Sequence, residues 1–486
     1  MRLKKITLNN FRCFESLEID LHPQLTVLVA ENGQGKSSVL DGIRIALWPF
    51  VSSFDLARNA FNDPGNAISI DDVRLARLNT NDMARQLPAG IMAKGDFGAG
   101  NESTWIRYRD KETRNSKTKD DGDAAFMRQW AGSVQTQIRD PNKSTLDLPV
   151  FGYYGTGRLW SQKKLTELTR GKDDTKETDF YIRTFAYLNC LDPASSFKHF
   201  KEWFIWASNV EIEKFLDRAV GVRISEAEFA SATAPVLVVR QAIDEFLRPI
   251  TGWHTLEYSH RFEKTLTLQH DQFGTMKVES LSDGIRSVLA MVGDIAYRCI
   301  KLNPHLGIEA ARESKGVVLI DEIEMHLHPS WQQMVLGQLQ QAFPKIQFIV
   351  TTHSPQVLTS VDARCIRKLR LARDEQGKAS IIVEHVTQQT KGVASSDLLA
   401  EIMGVNPIPD LPEARALSAY HALIQQNLHQ GDEGLRLREQ LNQHFGSDHP
   451  VIRECERMIR LQGFKQKLPL PEFKPDHLPN KTESCE

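Results

Sequence analysis

Residues 317–329 read Val-Val-Leu-Ile-Asp-Glu-Ile-Glu-Met-His-Leu-His-Pro, which places two carboxylates directly after an aliphatic run. The run 317–320 predicts a strand buried on both faces, as in the middle of a parallel sheet. Asp321 and Glu322 then fall at the carboxyl end of that strand, where open α/β sheets bind ligands. Two charges beside a dry core are costly unless a cation or a proton-transfer role compensates for them. Taken alone, the pair fits such a site and an acidic helix start about equally well.

A phosphate-binding motif lies near the N-terminus. The apolar run 25–29 predicts a strand, residues 30–38 read Ala-Glu-Asn-Gly-Gln-Gly-Lys-Ser-Ser, and a helical pattern follows. This is the context that a P-loop requires, although Ala30 stands where the motif usually has its first glycine. Backbone amides would hold the β-phosphate, Lys36 would bridge the β- and γ-phosphates, and the Ser37 hydroxyl would bind Mg²⁺. The predicted ATP-binding residues of this loop are Asn32, Gly33, Gln34, Gly35, Lys36, Ser37 and Ser38.

A third motif lies ahead of the predicted 317–320 strand. Residues 281–287 read Leu-Ser-Asp-Gly-Ile-Arg-Ser, and an apolar helical pattern follows. Ser282 can cap that helix, and Gly284 permits a close backbone approach. Together with the two other motifs, this stretch resembles the LSxGxxS signature of ABC-type ATPases, which closes over the γ-phosphate held by a second protomer. The resemblance implies that Ser282 and Gly284 bind the ATP of a partner copy, so that the active unit is at least a dimer.

Two further site residues are assigned by resemblance. His353 lies in Thr-Thr-His-Ser-Pro at 351–355, one predicted strand beyond the carboxylates, and it resembles the switch histidine of ABC-type ATPases. Arg12 lies in Asn-Asn-Phe-Arg-Cys-Phe at 9–14, which resembles the start of RecF-like and SMC-like ATPase heads. In those heads this loop is near the nucleotide, so Arg12 is a candidate ATP contact. A simple hairpin turn with two packed phenylalanines explains the same residues equally well.

The motifs together predict ATP hydrolysis. Ser37 and Asp321 would hold Mg²⁺, the latter directly or through a water. Glu322 would orient or deprotonate the attacking water. His353 and Lys36, with the signature residues of the partner copy, would stabilise the γ-phosphate. The predicted catalytic residues are therefore Glu322, His353 and Lys36, and the predicted cofactors are ATP and Mg²⁺.

Composition limits the class of protein. The 486 residues are enough for about three domains. The net charge of −2 provides no global basic field, so any DNA contact must come from a local patch or a partner. The six cysteines are scattered, as in reduced proteins without disulfides or a zinc site. Since the N-terminus has no signal-peptide pattern and no apolar run approaches the ~20 residues that cross a bilayer, we expect a soluble cytoplasmic protein without membrane association.

The predicted fold class is α/β: an ABC- or RecF-like P-loop ATPase head with inserted strand-rich and helical segments and a helical C-terminal region. The predicted segments are 1–50 (N-terminal lobe of the head, with the P-loop), 51–159 (β-rich insertion), 160–270 (helical insertion), 271–372 (C-terminal lobe of the head, with the signature, the carboxylates and the histidine), 373–468 (hairpin end and C-terminal helices) and 469–486 (Pro-rich tail).

The insertions carry weaker signals. The polar run 109–123 predicts a solvated loop, and its interleaved acids argue against a nucleic-acid role. A Gly-rich turn ending at Arg158 makes that residue a candidate sensor of phosphate or of a neighbouring subunit. In the helical insertion, apolar side chains recur at a spacing typical of a core or a subunit interface, namely at Phe200, Trp203, Phe204, Ile212 and Phe215. Because no heptad pattern is sustained, no long coiled-coil arm is expected.

Over most of its length the chain resembles the PtuA-type ATPases of Septu and retron anti-phage systems. The resemblance depends on the ATPase motifs and on Phe-Gly-Tyr-Tyr-Gly-Thr-Gly-Arg at 151–158. It implies a homodimer or higher oligomer that controls a separate HNH nuclease, PtuB, and reaches DNA through that complex. The predicted helix 450–467 carries an apolar stripe that could bind the nuclease. Packing of the stripe against its own domain explains the pattern nearly as well. The stripe consists of Ile452, Cys455, Met458, Ile459 and Leu461.

The alternative function is that of a RecF- or SMC-like ATPase acting directly on DNA in repair or recombination. It predicts DNA-stimulated hydrolysis with a steep salt dependence, and the near-neutral charge counts mildly against it. The long separation between the P-loop and Asp321 argues against an ABC transporter. The absence of an Asp-x-Asp pair after Val361 argues against an overcoming-lysogenization-defect nuclease. No nuclease constellation is visible that would let the chain cut nucleic acid alone.

Overall fold

The computed structural model describes residues 1–57, 64–78, 82–98, 100, 102–113, 116–157, 177–193, 197–375 and 377–467. The chain divides into two compact units, Met1–Gly404 and Val405–Glu486. The described residues of the first unit form an α/β structure, and those of the second are helical. Within the described ranges, no helix combines the length and apolar character needed to cross a membrane.

A six-stranded sheet forms the centre of the first unit. Its strands are β3 (Leu25–Val29), β9 (Val150–Tyr154), β13 (Gly316–Ile320), β14 (Ile346–Thr352), β15 (Ile366–Arg373) and β16 (Ala379–His385). Their order is β16-β15-β3-β14-β13-β9, and every neighbouring pair is parallel except β15 with the edge strand β16. Strands β3, β9, β13 and β14 are buried along their whole length, as in parallel sheets covered on both faces. The aliphatic runs 25–29 and 317–320 therefore form central strands, as predicted.

A second sheet is antiparallel and covers the P-loop helix. Its strands are β1 (Arg2–Phe11), β2 (Phe14–Asp20), β6 (Ala89–Asp96), β7 (Glu102–Arg109) and β8 (Lys119–Asp120), in the order β2-β1-β6-β7-β8. A short hairpin, β4 (Leu75–Arg77) and β5 (Met83–Arg85), precedes β6 in sequence. Helix α1 (Lys36–Val51) contacts β6 and β7 on one side and β14 on the other, and helix α2 (Gly122–Ile138) packs beside it. The P-loop helix is thus held between the two sheets.

The predicted helical insertion differs from the structure at its end. Helices α3 (Phe197–Ala219) and α4 (Glu226–Thr251) form its main part, after two 3-10 turns, Glu177–Tyr181 and Arg183–Tyr187. Helix α4 ends at Gly252, whose left-handed φ of 77° stops the helix. The chain then forms a three-stranded antiparallel sheet, β10 (Trp253–Ser259), β11 (Thr265–His270) and β12 (Gly274–Lys277), whose first two strands lie inside the range 160–270 predicted to be helical.

The two halves of α3 differ in the burial of their apolar side chains. Phe200, Trp203 and Phe204 are buried in the core of the first unit, whereas Ile212 and Phe215 are exposed. The core interpretation of this pattern therefore applies to the first half of α3 only.

The other helices described in the first unit begin within or after the signature motif. They are α5 (Asp283–Leu302), α6 (Ala310–Glu313), α7 (Pro329–Gln332), α8 (Val335–Ala342), α9 (Pro355–Leu358) and α10 (Ser395–Glu401). Gln333 and Met334 separate α7 from α8.

A buried ionic network joins α5 to the end of β9. The Tyr154 hydroxyl donates to Asp294 Oδ2 at 2.8 Å, and Arg298 Nε donates to the same oxygen at 2.7 Å. The Arg298 guanidinium also donates to the carbonyl of Ala186. The side chains of Arg298 and Asp294 are 2% and 5% exposed. Because a charge at this depth is tolerated only when it is paired, the network fixes the signature helix against the sheet.

The described residues of the second unit, 405–467, form three helices, α11 (Pro412–Gln425), α12 (Asp432–Phe445) and α13 (Pro450–Lys467). Its core includes Ile452 and Cys455, which are fully buried, and Met458 and Ile459 pack against that core. The apolar stripe predicted as a possible nuclease-docking surface is therefore mostly the core of its own unit. Among the stripe residues only Leu461 is exposed. The rest of the tail, from residue 468, lies outside the described residues.

Replacing Arg298 with methionine should lower the free energy of unfolding by roughly 3–5 kcal/mol, because it leaves the buried Asp294 carboxylate without its counter-charge. Denaturant unfolding followed by circular dichroism measures the loss. Arg312→Met is the matched control, since that guanidinium is 52% exposed where it pairs with Glu245, and its removal should cost at most about 1 kcal/mol. Equal losses in both variants would contradict a structural role for the buried pair.

Candidate functional site

The P-loop has the backbone geometry that phosphate binding requires. Gly33 and Gly35 have left-handed φ values of 81° and 88°, a conformation that costs glycine little. A Cβ on Gly35 would lie 2.4 Å from the Phe14 ring and 2.7 Å from Cys13 Sγ, so the β1–β2 turn closes directly over the loop. Helix α1 then begins at Lys36 with no side-chain cap. Its first amides therefore point toward the loop, where they favour an anion.

Lys36 lies inside this loop. Its Nζ donates to the Ala30 carbonyl at 2.9 Å and to the Glu31 carbonyl at 3.4 Å, and the residue is buried. Burial lowers the pKa of Lys36, and the nearby carboxylates, Asp321 first among them, oppose that shift. The lysine is thus a buried cation whose side chain reaches the turn where the P-loop begins. This is where a lysine that contacts the β- and γ-phosphates has to lie.

Asp321 connects the three central strands at their carboxyl ends. Its Oδ2 accepts from the Ser37 hydroxyl at 2.7 Å, and its Oδ1 accepts from the Thr351 hydroxyl at 2.6 Å. Its backbone amide donates to the Tyr154 carbonyl at 2.8 Å. Hydroxyl and carboxylate oxygens are the ligands that Mg²⁺ prefers. The predicted pair, Ser37 and Asp321, is therefore brought together by the fold, and its donor set fits a nucleotide-bound Mg²⁺.

Glu322 has an unusual backbone. Its φ of 47° lies in the left-handed region, and its amide donates to the Thr351 hydroxyl at 2.8 Å. A non-glycine residue in this region costs about 1–3 kcal/mol and persists only where its surroundings hold it. Thr351 helps to hold this conformation, because its carbonyl also accepts a hydrogen bond from the Ile323 amide at 3.1 Å. The left-handed conformation of Glu322 does not continue the extended backbone of β13, which ends at Ile320.

Glu324 was not assigned a role from the sequence, yet it organises the segment that carries His353. Its Oε2 accepts from the Thr352 hydroxyl at 2.8 Å, and its Oε1 accepts from the His353 amide at 2.5 Å. The His353 side chain is exposed beyond this contact. Spacing along the chain gave no signal of this arrangement, because Glu324 and His353 follow different strands.

The signature motif is shaped by its own subunit. Ser282 is the N-cap residue of α5, but its hydroxyl makes no capping hydrogen bond, so the prediction of a side-chain cap is wrong. Gly284 is buried, and a Cβ there would lie 2.4 Å from the carbonyl oxygen of His326, which has a φ of 64°. Gly284 thus allows the signature to pack against the loop after β13. Ser282 is exposed at the start of the helix.

Arg12 lies at the first turns of α1, where it pairs with two carboxylates. Its Nη1 is 2.6 Å from Asp41 Oδ2 and 3.4 Å from Ser38 Oγ, and its Nε donates to Asp72 Oδ1 at 2.8 Å. Burial opposes the charge, but Asp41 and Asp72 outweigh it and raise the pKa of Arg12. The Tyr153 hydroxyl donates to Asp41 Oδ1 at 3.1 Å. Sequence reasoning missed these partners because they come from three separate segments.

Arg158, the other candidate arginine, lies outside the described residues.

Comparison with known proteins places this architecture among ATPases. An AAA domain model matches residues 5–205, and a model described as AAA domain, putative AbiEii toxin, Type IV TA system matches residues 201–359. The chain is 27% identical to the retron Ec83 probable ATPase of Escherichia coli, with 94% of this chain and 86% of that protein covered.

Two further relatives extend the comparison. The chain is 25% identical to the retron Vc95 probable ATPase of Vibrio cholerae serotype O1 biovar El Tor, with 76% of this chain and 73% of that protein covered. It is 31% identical to the Septu protein PtuA of Bacillus mycoides (strain KBAB4) over a shorter alignment, which covers 35% of this chain and 23% of that protein.

The fold and the site define a P-loop NTPase with an ABC-type head, an enzyme that hydrolyses ATP. The resemblance to the ATPases of retron and Septu systems, predicted from the sequence, is confirmed by these relatives, whose names support a defence-associated ATPase.

Glu324→Ala should reduce kcat for ATP hydrolysis by about 10- to 100-fold, because it removes the two hydrogen bonds by which Glu324 holds Thr352 and His353. Binding of a fluorescent ATP analogue should stay within about twofold of the original protein, since the P-loop is untouched. Glu313→Ala is a suitable control, because that exposed carboxylate pairs with Lys345 at the opposite end of the sheet. A normal kcat in Glu324→Ala would show that the hydrogen bonds from Thr352 and His353 to Glu324 are not needed for hydrolysis.

Proposed function

We propose that two copies of this chain bind ATP and Mg²⁺ at a head-to-head dimer interface and that hydrolysis there controls an associated HNH DNA nuclease. The observation that carries the proposal is the 2.7 Å contact between the Ser37 hydroxyl and Asp321, which joins the P-loop to the carboxylate strand. Such a contact is what a shared Mg²⁺ site requires. The exposed Ser282, at the start of a helix and without a capping bond, supports a role for the signature in a second subunit's pocket.

Each residue then has a defined task in hydrolysis. The amides of residues 32–38 and Lys36 bind the β- and γ-phosphates. Ser37 and Asp321 would hold Mg²⁺, which would neutralise charge on the phosphate oxygens. Glu322 orients the attacking water and accepts its proton, and His353 donates a hydrogen bond to the γ-phosphate.

The partner copy completes this site. Ser282 of the partner subunit would bind the γ-phosphate, while Gly284 of the partner subunit would keep that segment close to its own loop after β13. Because each pocket needs the signature of the other copy, hydrolysis depends on dimer closure. Binding and hydrolysis of ATP can therefore control whether two copies of the chain associate.

The proposed control of a nuclease follows from the resemblance to PtuA-type ATPases, with which the names of the retron and Septu relatives agree. That resemblance implies a cytoplasmic defence complex in which this ATPase works with a PtuB-like HNH nuclease and reaches DNA through it. The near-neutral charge of the chain agrees with indirect contact to DNA. The RecF- or SMC-like alternative, direct action on DNA, would instead require DNA-stimulated hydrolysis by the isolated protein.

Glu322→Gln should bind ATP, lose nearly all turnover and accumulate as a closed dimer, because the amide cannot accept the proton of the attacking water. Light scattering with saturating ATP measures the dimer, and phosphate release measures turnover. Lys36→Ala should instead abolish binding of a fluorescent ATP analogue, because it removes the charge that meets the phosphates. The dimer proposal fails if Glu322→Gln remains monomeric with ATP bound.

Nuclease docking on the second unit should depend on Leu461 and Phe464, which are 50% and 69% exposed near the end of α13. Leu461→Asp with Phe464→Asp should reduce co-purification with the HNH nuclease about tenfold, because charges replace an apolar contact. Point variants are preferable to deleting α13, which supplies Ile452 to the core of the unit. Leu428→Asp is the control, since that side chain is 55% exposed elsewhere in the same unit. If the variant with Leu461→Asp and Phe464→Asp co-purifies with the nuclease as well as the Leu428→Asp control does, the nuclease does not dock on this surface.

A further inference from the structure

A segment of the β-rich insertion is joined to the turn between β1 and β2. The Arg12 amide donates to the Asp72 carbonyl at 2.7 Å, and the Arg74 amide donates to the Asn10 carbonyl at 2.9 Å. Phe11 and Val73 form an antiparallel bridge between the same two segments. The insertion therefore holds the turn that closes over the P-loop.

The carboxylate of Asp72 is fixed from two sides. Its Oδ1 accepts from Arg12 Nε at 2.8 Å, and its Oδ2 accepts from the amide and the hydroxyl of Ser69 at 2.9 and 2.7 Å. The side chain is only 13% exposed. Asp72 is thus a rigid acceptor, and one edge of the Arg12 guanidinium is bound to it.

The Nη1 atom of Arg12 points toward the first two turns of α1. It donates to Asp41 Oδ2 at 2.6 Å, and Ser38 Oγ is 3.4 Å away. Ser38 is the second hydroxyl after Lys36 in the P-loop motif, so this nitrogen lies beside the expected phosphates. Arg12 itself has a left-handed φ of 52°, which its neighbours must hold in place.

We propose that Asp72 is a positioning residue for ATP binding, which acts by holding Arg12 at the phosphate end of the P-loop. The proposal depends on the nucleotide position given above. A free arginine side chain loses rotamer entropy when it binds a ligand, and a fixed contact at Nε removes part of that cost before the ligand arrives. Asp72 would therefore contribute to nucleotide affinity and not to the chemical step.

Two effects of Asp72 on ATP oppose each other. Its negative charge repels the phosphates, whereas its contact with Nε orients the cation that attracts them. Asparagine keeps an oxygen for Nε and removes the charge, although its amide nitrogen then replaces the oxygen that accepts from the Ser69 amide. Alanine removes both. If orientation is the larger effect, Asp72→Asn retains affinity and Asp72→Ala loses it.

The experiment measures the dissociation constant of a fluorescent ATP analogue, together with KM and kcat, for the full chain. Asp72→Ala should raise the dissociation constant and KM about tenfold, which is the scale of one lost hydrogen bond to a charged group, with kcat within about twofold. Asp72→Asn should stay within about twofold in all three. Asp71→Ala is the matched control, because that neighbour is 88% exposed and its carboxylate is 3.6 Å from Arg85.

A double variant tests whether Asp72 acts through Arg12. Arg12→Ala combined with Asp72→Ala should bind no more weakly than Arg12→Ala alone, because the positioned group is already absent. Unchanged affinity in Asp72→Ala, losses that add in the double variant, or an equal loss in Asp72→Asn would each overturn the proposal. Lys36→Ala is measured in parallel: if it still binds the analogue, the nucleotide position is wrong, whereas a failure confined to Asp72 leaves that position intact.

Discussion

The carboxylate of Asp321 holds the site together by accepting hydrogen bonds from the ends of two neighbouring segments. Ser37 comes from the start of α1, after β3, and Thr351 comes from β14. The order β3-β14-β13 in the sheet, with all three strands parallel, brings these carboxyl ends to one edge. The register is consistent with this, because Ile320 is opposite Val350, and Val350 is opposite Val27. A shift of one residue in either pairing would separate the three side chains.

The signature is coupled to this edge through the interior of the subunit. Tyr154, at the end of β9, donates to Asp294 of the signature helix, and the neighbouring Tyr153 donates to Asp41 of the P-loop helix. Burial raises the pKa of Tyr153, so its hydroxyl stays protonated and donates. Strand β9 thus contacts both α1 and α5, the two helices whose N-termini would face phosphate. A rigid arrangement of this kind fits the proposed completion of the site by a second subunit, because the helix that begins beside the exposed Ser282 is fixed to the sheet.

The insertions support the site as well as extending the fold. Residues 69–74 hold the β1–β2 turn over the P-loop, and helix α4 packs against the signature helix α5. At Gly284 the signature touches the carbonyl of His326, so the loop after β13 and the signature have a fixed spacing within one subunit. The nucleotide site is therefore built from segments that are far apart in sequence, and each insertion contributes one of its supports.

The sequence by itself determined the class of fold, the P-loop and the carboxylate pair. These features are local: aliphatic runs such as 317–320 specify buried strands, and the residues that follow them must lie at the edge of the sheet. The tertiary structure decided what no local pattern encodes. It showed that Glu324 holds the His353 segment, that Arg12 is placed between Asp41 and Asp72, and that Ile452 and Cys455 belong to a core. Each of these depends on contacts between distant segments, and a helical period reports only that a face is apolar, not what covers it.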